Sequence, residues 1–226
     1  MAALVTQTFS DLQALTRTLL EDTGTTLFSD DEVKRAINNA YAYLYNEGVR
    51  LSDGQGIACT KLDIDVTADT DTISMPSDFY RCVSIAYKEG ETSYIQWKPI
   101  SGPIEIARWA STITRDSKLK GYYFRGNSTL VMVPSPSWTG TVEMHYIPNP
   151  VMLDVSSDEP LFPKSHRELI AYEAFFRLIQ KEGIDPGASS AGIRRDLKVA
   201  FENDMEDMQK QESRELIGDG MYWIYG

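Results

Sequence analysis

Residues 121–133 read GYYFRGNSTLVMV. Two β-rich runs, Tyr122-Tyr123-Phe124-Arg125 and Thr129-Leu130-Val131-Met132-Val133, flank Gly126-Asn127. Aromatic and β-branched residues on either side of a glycine-bearing turn predict a β-hairpin. Pro134 and Pro136 end it, because proline has no N–H to give to a ladder. Downstream, Thr141 to Ile147 is a further strand. Upstream, Leu62, Ile64 and Val66 alternate with Asp63 and Asp65, the period of a half-buried strand. Asp69-Thr70-Asp71 is a turn, and Pro76 forbids a central ladder position. From Arg81 to Tyr87, strict alternation would put Cys82, Ser84 and Ala86 on one face and Val83, Ile85 and Tyr87 on the other. Tyr94 to Ile100 reads as one more strand, and Pro103 to Ala110 as a short helix with proline in its first turn. Strands at this spacing, with no long helices between them, predict a mostly antiparallel sheet or sandwich rather than a βαβ fold.

Both ends of the chain are helical in pattern. Leu12, Leu15, Leu19 and Leu20 share one face of a helix from about Phe9 to Glu21, with Thr8 or Ser10 as its cap. Ser29-Asp30-Asp31-Glu32 is a capping box. Behind it Val33, Ile37, Ala40, Tyr41 and Leu44 form a stripe that Gly48 would stop. After residue 150, Ser165-His166-Arg167-Glu168 is a second capping-box candidate, with Pro163 competing for the start. The next helix, to about Glu182, is apolar over more than one stripe and should be buried on several sides. Gly183, Pro186 and Gly187 separate it from a last helix, about Ser189 to Leu216, with Ile193, Leu197, Ala200, Phe201, Met205 and Met208 on one face. The expected fold class is therefore α+β. Residues 1–51 and 151–217 form a helical bundle, 52–150 an inserted, mostly antiparallel β-domain, and 218–226 a C-terminal arm.

Two features of the C-terminal region stand out. In the last helix Arg194, Arg195 and Lys198 come early, and Glu202, Asp204, Glu206, Asp207, Glu212 and Glu215 come late. The helix macrodipole favours the reverse by about 0.3–1 kcal/mol per well-placed charge. Either this is a solvated charged face, or the helix relies on packing within or between subunits. Beyond the Gly218-Asp219-Gly220 hinge, Met221, Tyr222, Trp223, Ile224 and Tyr225 are consecutive and apolar. In water they would be an aggregation hazard, so they bury either in their own core or on another chain, where such aromatics act as anchors.

Lys plus Arg is 22 and Asp plus Glu is 33, a formal charge of −11 over 226 residues. That balance argues against stable nucleic-acid binding, which needs clustered cations. With hydrophobic residues at 42%, a chain this long builds a core without disulfides or metal. Cys59 and Cys82 make no framework, and no Cys/His spacing suits zinc. The opening residues lack a basic n-region, and no run reaches the ~20 apolar residues of a membrane span, so a cytosol-like setting is expected. The glycines of 121–128 have phosphate-loop spacing, but Asn127 stands where lysine must be. Asn127-Ser128-Thr129 matches a glycosylation acceptor that needs a secretory route. No cofactor is implied.

The order of these signals resembles the head-to-tail adaptor proteins of short-tailed bacteriophages. The phrases that carry it are the Ser29 helix start with AINNAYAYLY (36–45), ISMPSDFYRCVSI (73–85), GYYFRGNSTLVMVPSP (121–136), MHYIPNP (144–150) and FPKSHRELIAYEAFFRL (162–178). The resemblance spans roughly residues 9–215. It implies a non-enzymatic homo-oligomeric ring, usually of twelve copies, joining the phage portal protein to tail tube or nozzle proteins, with DNA passing through its centre. It implies a place in the virion neck, reached from the host cytoplasm during assembly. Met221, Tyr222, Trp223, Ile224 and Tyr225 would then be a portal-docking arm, and the β-domain would face tail components. Two other readings use the β-domain: a hydrolase working through Asp63, Asp65 or His145, or a glycan-binding module stacking sugars on Tyr94, Trp97, Tyr122 or Trp138.

Overall fold

The computed structural model describes residues 8–22, 27–52, 59–89 and 93–218, with 211–218 described as helix backbone only. Among the described residues, five helices and two antiparallel-rich sheets make the fold α+β, with two helices before the β-region, one inside it and two after it. The chain divides into two compact units, one drawn from both ends and one made of Cys59–Asn149.

In the helical unit, α1 (Phe9–Leu19) starts at Thr8, which exchanges bonds with Asp11 in a capping box. Leu12, Thr16 and Leu20 form its buried row, and the Thr16 hydroxyl donates to Leu12 O at 2.8 Å. Helix α2 (Asp30–Leu51) starts at the Ser29–Glu32 box, and its whole expected stripe is buried. Gly48 does not stop it. Gly48 is buried inside the helix, and its carbonyl accepts the Ser52 N–H at 3.0 Å and hydroxyl at 2.7 Å, so the end is made by a side-chain cap four residues on.

Ser165 caps nothing. Pro163 leads into a 3-10 turn, Lys164–His166, closed by His166 N–H on Pro163 O at 3.0 Å. Helix α4 (Arg167–Lys181, preceded in chain order by α3 of the β-unit) begins straight from that turn. It packs against α1, α2 and α5 (Ala188–Gly218), which is why Leu169, Ile170, Ala171, Tyr172, Phe175 and Phe176 are all buried. Burial of each of Leu169, Ile170, Phe175 and Phe176 stabilises by about 1.5–3 kcal/mol.

The β-unit holds β1 (Thr60–Val66), β2 (Thr72–Ser74), β3 (Phe79–Lys88), β4 (Tyr94–Gln96), β5 (Lys98–Pro99), helix α3 (Gly102–Thr112), β6 (Gly121–Arg125), β7 (Thr129–Val133) and β8 (Gly140–Pro148). One sheet runs β1-β8-β3-β4, the other β2-β7-β6-β5. Period-two rows supply the core: Ile64 and Val66, Val142, Met144 and Tyr146, Leu130 and Met132. The hairpin of β6 and β7 pairs Arg125 with Thr129, and Gly126 takes the left-handed φ of 63° that its turn requires.

Two expectations fail here. Strict alternation in β3 is broken by register shifts at Phe79/Arg81 and Cys82/Ser84. Each extra residue flips the facing of the residues after it, so Phe79, Cys82, Ile85 and Tyr87 all reach the core. The stretch from Tyr94 to Ile100 is not one strand. Strand β4 pairs with β3 in one sheet and β5 runs parallel to β6 in the other, with the chain switching sheets at Trp97, which is 1% exposed.

Candidate functional site

On the helical unit, a loop after residue 150 carries exposed Val151, Met152 and Val155. Arg167 holds the base of this loop. It is 5% exposed and donates to Phe162 O at 3.1 Å, Pro160 O at 3.0 Å and Glu159 at 2.8 Å. The Leu161 N–H donates to the buried Tyr41 hydroxyl at 2.9 Å, and burial pushes that phenol up to about 12. Beside the loop is a shallow groove lined by Asp31, Lys34, Arg35, Asn38, Asn39 and Met152. The lining mixes one acid, two cations, two amides and a thioether.

Two of the three early cations of α5, Arg194 and Lys198, have a tertiary purpose, while Arg195 is exposed and pairs with its neighbour Asp196. Arg194 makes a two-toothed bond to Glu173 of α4, at 2.7 and 3.0 Å, and its guanidinium lies 4.6 Å over the Phe176 ring. Glu173 is 3% exposed, so this pairing is what makes its burial tolerable. Lys198 reaches the Tyr43 hydroxyl at 3.4 Å. The expected apolar face is only partly covered. Phe201 and Met205 are fully buried, Phe201 against Phe162 and His166, while Ile193 and Ala200 are exposed. A helix of 31 residues runs about 46 Å and outlasts the 15-residue α4 beside it. Ile193 and Val199 are 43% and 48% exposed, leaving apolar contacts open on this helix.

On the outer face of the β1–β8 pair, Lys61 stands opposite His145, Asp63 opposite Glu143 and Asp65 opposite Thr141. Lys61 pairs with Glu143, and the Tyr94 hydroxyl donates to it at 3.5 Å. The Lys61 ammonium and then His145 hold the Glu143 carboxyl below its ordinary range. His145 does not meet Asp63 or Asp65, the acids weighed with it as hydrolytic groups. Asp65 accepts from the Thr141 hydroxyl at 3.2 Å, and His145 Nε2 bonds Glu143 at 2.8 Å. Glu143 was missed by sequence reasoning, although its i, i+2 relation to His145 was available. Cys59 also lies at this face, and only the β1–β8 register brings it there.

The aromatic platform is largely dispersed. Trp97 and Tyr122 are core residues, and Trp138 is half-buried. The two indole N–H groups donate to Lys118 O and Ser117 O at 2.9 and 3.0 Å. Only Tyr94, 46% exposed, offers a face to solvent. The same loop shelters Lys120, which is fully buried with its ammonium on Arg115 O at 2.9 Å and Thr114 O at 3.4 Å. Burial, more than any neighbouring charge, draws that ammonium down to about 8.

Met221, Tyr222, Trp223, Ile224 and Tyr225 lie outside the described residues. Among the described residues no group of three or more His, Cys, Asp or Glu is placed to hold a metal ion, and no helix is long and apolar enough to cross a membrane. A family model described as SU10 adaptor protein matches residues 7–219 of the chain. No curated protein matches it.

Proposed function

This chain belongs to the SU10 adaptor protein family, and from that premise we propose how a structural adaptor of a bacteriophage particle with these features works. Copies close into a homo-oligomeric ring, twelve by the resemblance, between the portal protein and the tail tube or nozzle, and the DNA passes through the middle. Residues 1–51 and 151–217 build the ring, and 52–150 faces the tail. Residues 218–226 dock on the portal, with Met221, Tyr222, Trp223, Ile224 and Tyr225 as anchors. The role is adhesive and not catalytic.

The family match over residues 7–219 carries this reading. The exposed Ile193 and Val199 on α5 support a helical surface that another subunit covers. The charge of −11 per chain supports a conduit that lets phosphates slide, since each cationic contact would add salt-dependent grip. Mixing the purified chain with portal protein and viewing the product by electron microscopy tests it. A closed ring on the portal is expected, and a chain that stays dispersed beside intact portal overturns it. Removing residues 219–226 should abolish docking while the helical fold survives; undiminished docking would refute the arm.

A further inference from the structure

Three side chains on the outer face of the β-unit stand in the order of nucleophile, base and orienting acid. Cys59 Sγ is 3.9 Å from His145 Nδ1, and His145 Nε2 is 2.8 Å from Glu143 Oε1. A carboxylate can only accept, so the hydrogen-bond network assigns the proton to Nε2 and turns the Nδ1 lone pair towards the thiol. Glu143 is 9% exposed and pinned by Lys61, so it holds the ring in that tautomer. Cys59 itself is exposed and can be reached by a reagent. We propose that Cys59, with His145 as its base and Glu143 as the positioning residue, is a thiol-exchange site for low-molecular-weight disulfides.

In the exchange, His145 Nδ1 takes the Cys59 proton and the thiolate attacks one sulfur of the disulfide. A Cys59–S–S–R bond forms, the original S–S bond breaks, and the departing RS⁻ takes the proton back from His145. The disulfide is the oxidant, and no other reagent is needed. Charges near the site act in both directions. Lys61 on β1 favours the thiolate, while Asp63 on β1 and Glu143 on β8 oppose it. Tyr94 reaches Glu143 from β4. On β3, Ser84 opposite His145 is uncharged, and Arg81 stands opposite Ile147 one step along. Cys82 supplies an internal contrast. It is half-buried, 3.8 Å from the Tyr122 hydroxyl, and burial above all pushes its thiol up to about 11. This site is independent of the adaptor reading and stands or falls separately.

The full chain is treated with excess dithiobis(nitrobenzoate), and thiol release is followed from about pH 6 to about pH 9, a range that brackets an ordinary thiol near 8.5. A fast phase with a midpoint well below that value is expected, and Cys59→Ser should remove it. His145→Gln should slow it about tenfold at neutral pH and return the midpoint to the ordinary range. Glu143→Gln should shift the midpoint the same way by a smaller amount, because an amide can donate to the ring and favour the wrong tautomer. A variant whose β-unit has opened reveals itself by fast labelling of Cys82. A fast phase that survives Cys59→Ser, or a rate and midpoint unmoved by both His145→Gln and Glu143→Gln, overturns the proposal.

Discussion

The Asn38 side-chain amide holds both backbone groups of Leu153, donating to its carbonyl at 3.0 Å and accepting from its N–H at 2.8 Å. The two residues are 115 positions apart, and the pair ties α2 to the loop after residue 150 with Leu153 only 2% exposed. Asn38→Ala would orphan a buried donor and a buried acceptor together. A loss of about 2–4 kcal/mol is expected from two such groups, read by urea denaturation followed through the helical signal. A loss within the scatter of surface substitutions would show that water replaces the amide.

Arg194→Ala should be costly and the double replacement cheap. Alone, it strands Glu173 in the interior. Because a third of the Arg194 side chain meets solvent, about 2–3 kcal/mol is expected, below the range for a fully enclosed pair. Arg194→Met with Glu173→Leu removes both charges and should restore most of that stability. Equal melting temperatures for the single and double variants would contradict this account.

Acid should weaken the helical unit at a particular contact. Lys181, followed by the Ser29 cap, holds Glu32 at about 2 against a usual 4.5. Its contribution is complete above the unfolded value of 4.5 and fades as pH falls through 2. Glu32→Gln should flatten that part of the curve of melting temperature against pH. A curve parallel to the parent's over this window would dismiss the contact.

Lys120 gives a slope of the same sign at alkaline pH. Its folded value near 8 lies below the ordinary 10.5, so the unfolded chain binds more protons between those limits. Stability of the β-unit should therefore rise with pH across that interval. Lys120→Met should abolish the rise, measured by thermal melts of the two proteins at matched ionic strength.

The helix–strand–helix order, the Ser29 capping box and the Val33 to Leu44 stripe were legible because they are local. A helical period depends on residues within one or two turns, whereas the helix ends expected at Ser165 and Gly48 were set otherwise, by the Pro163 turn and the Ser52 cap. The hairpin at 121–133 was legible for the same reason. What lay beyond the sequence were the features set by pairing between distant strands. The extra residues in β3 move Cys82 to the side of Ile85 and Tyr87, although alternation alone separates them. The split at Trp97 depends on two sheets competing for one segment.

The same division holds for chemistry. His145 was visible as a candidate, and Glu143 lay two residues away along the same face. Cys59 joined them only through the register of β1 on β8, across 86 positions of sequence. Sequence determined the helices and the 121–133 hairpin, because their hydrogen bonds close within a few residues. Tertiary structure decided which side chains meet, because shifting a strand by one residue exchanges its faces and no short-range signal fixes that choice.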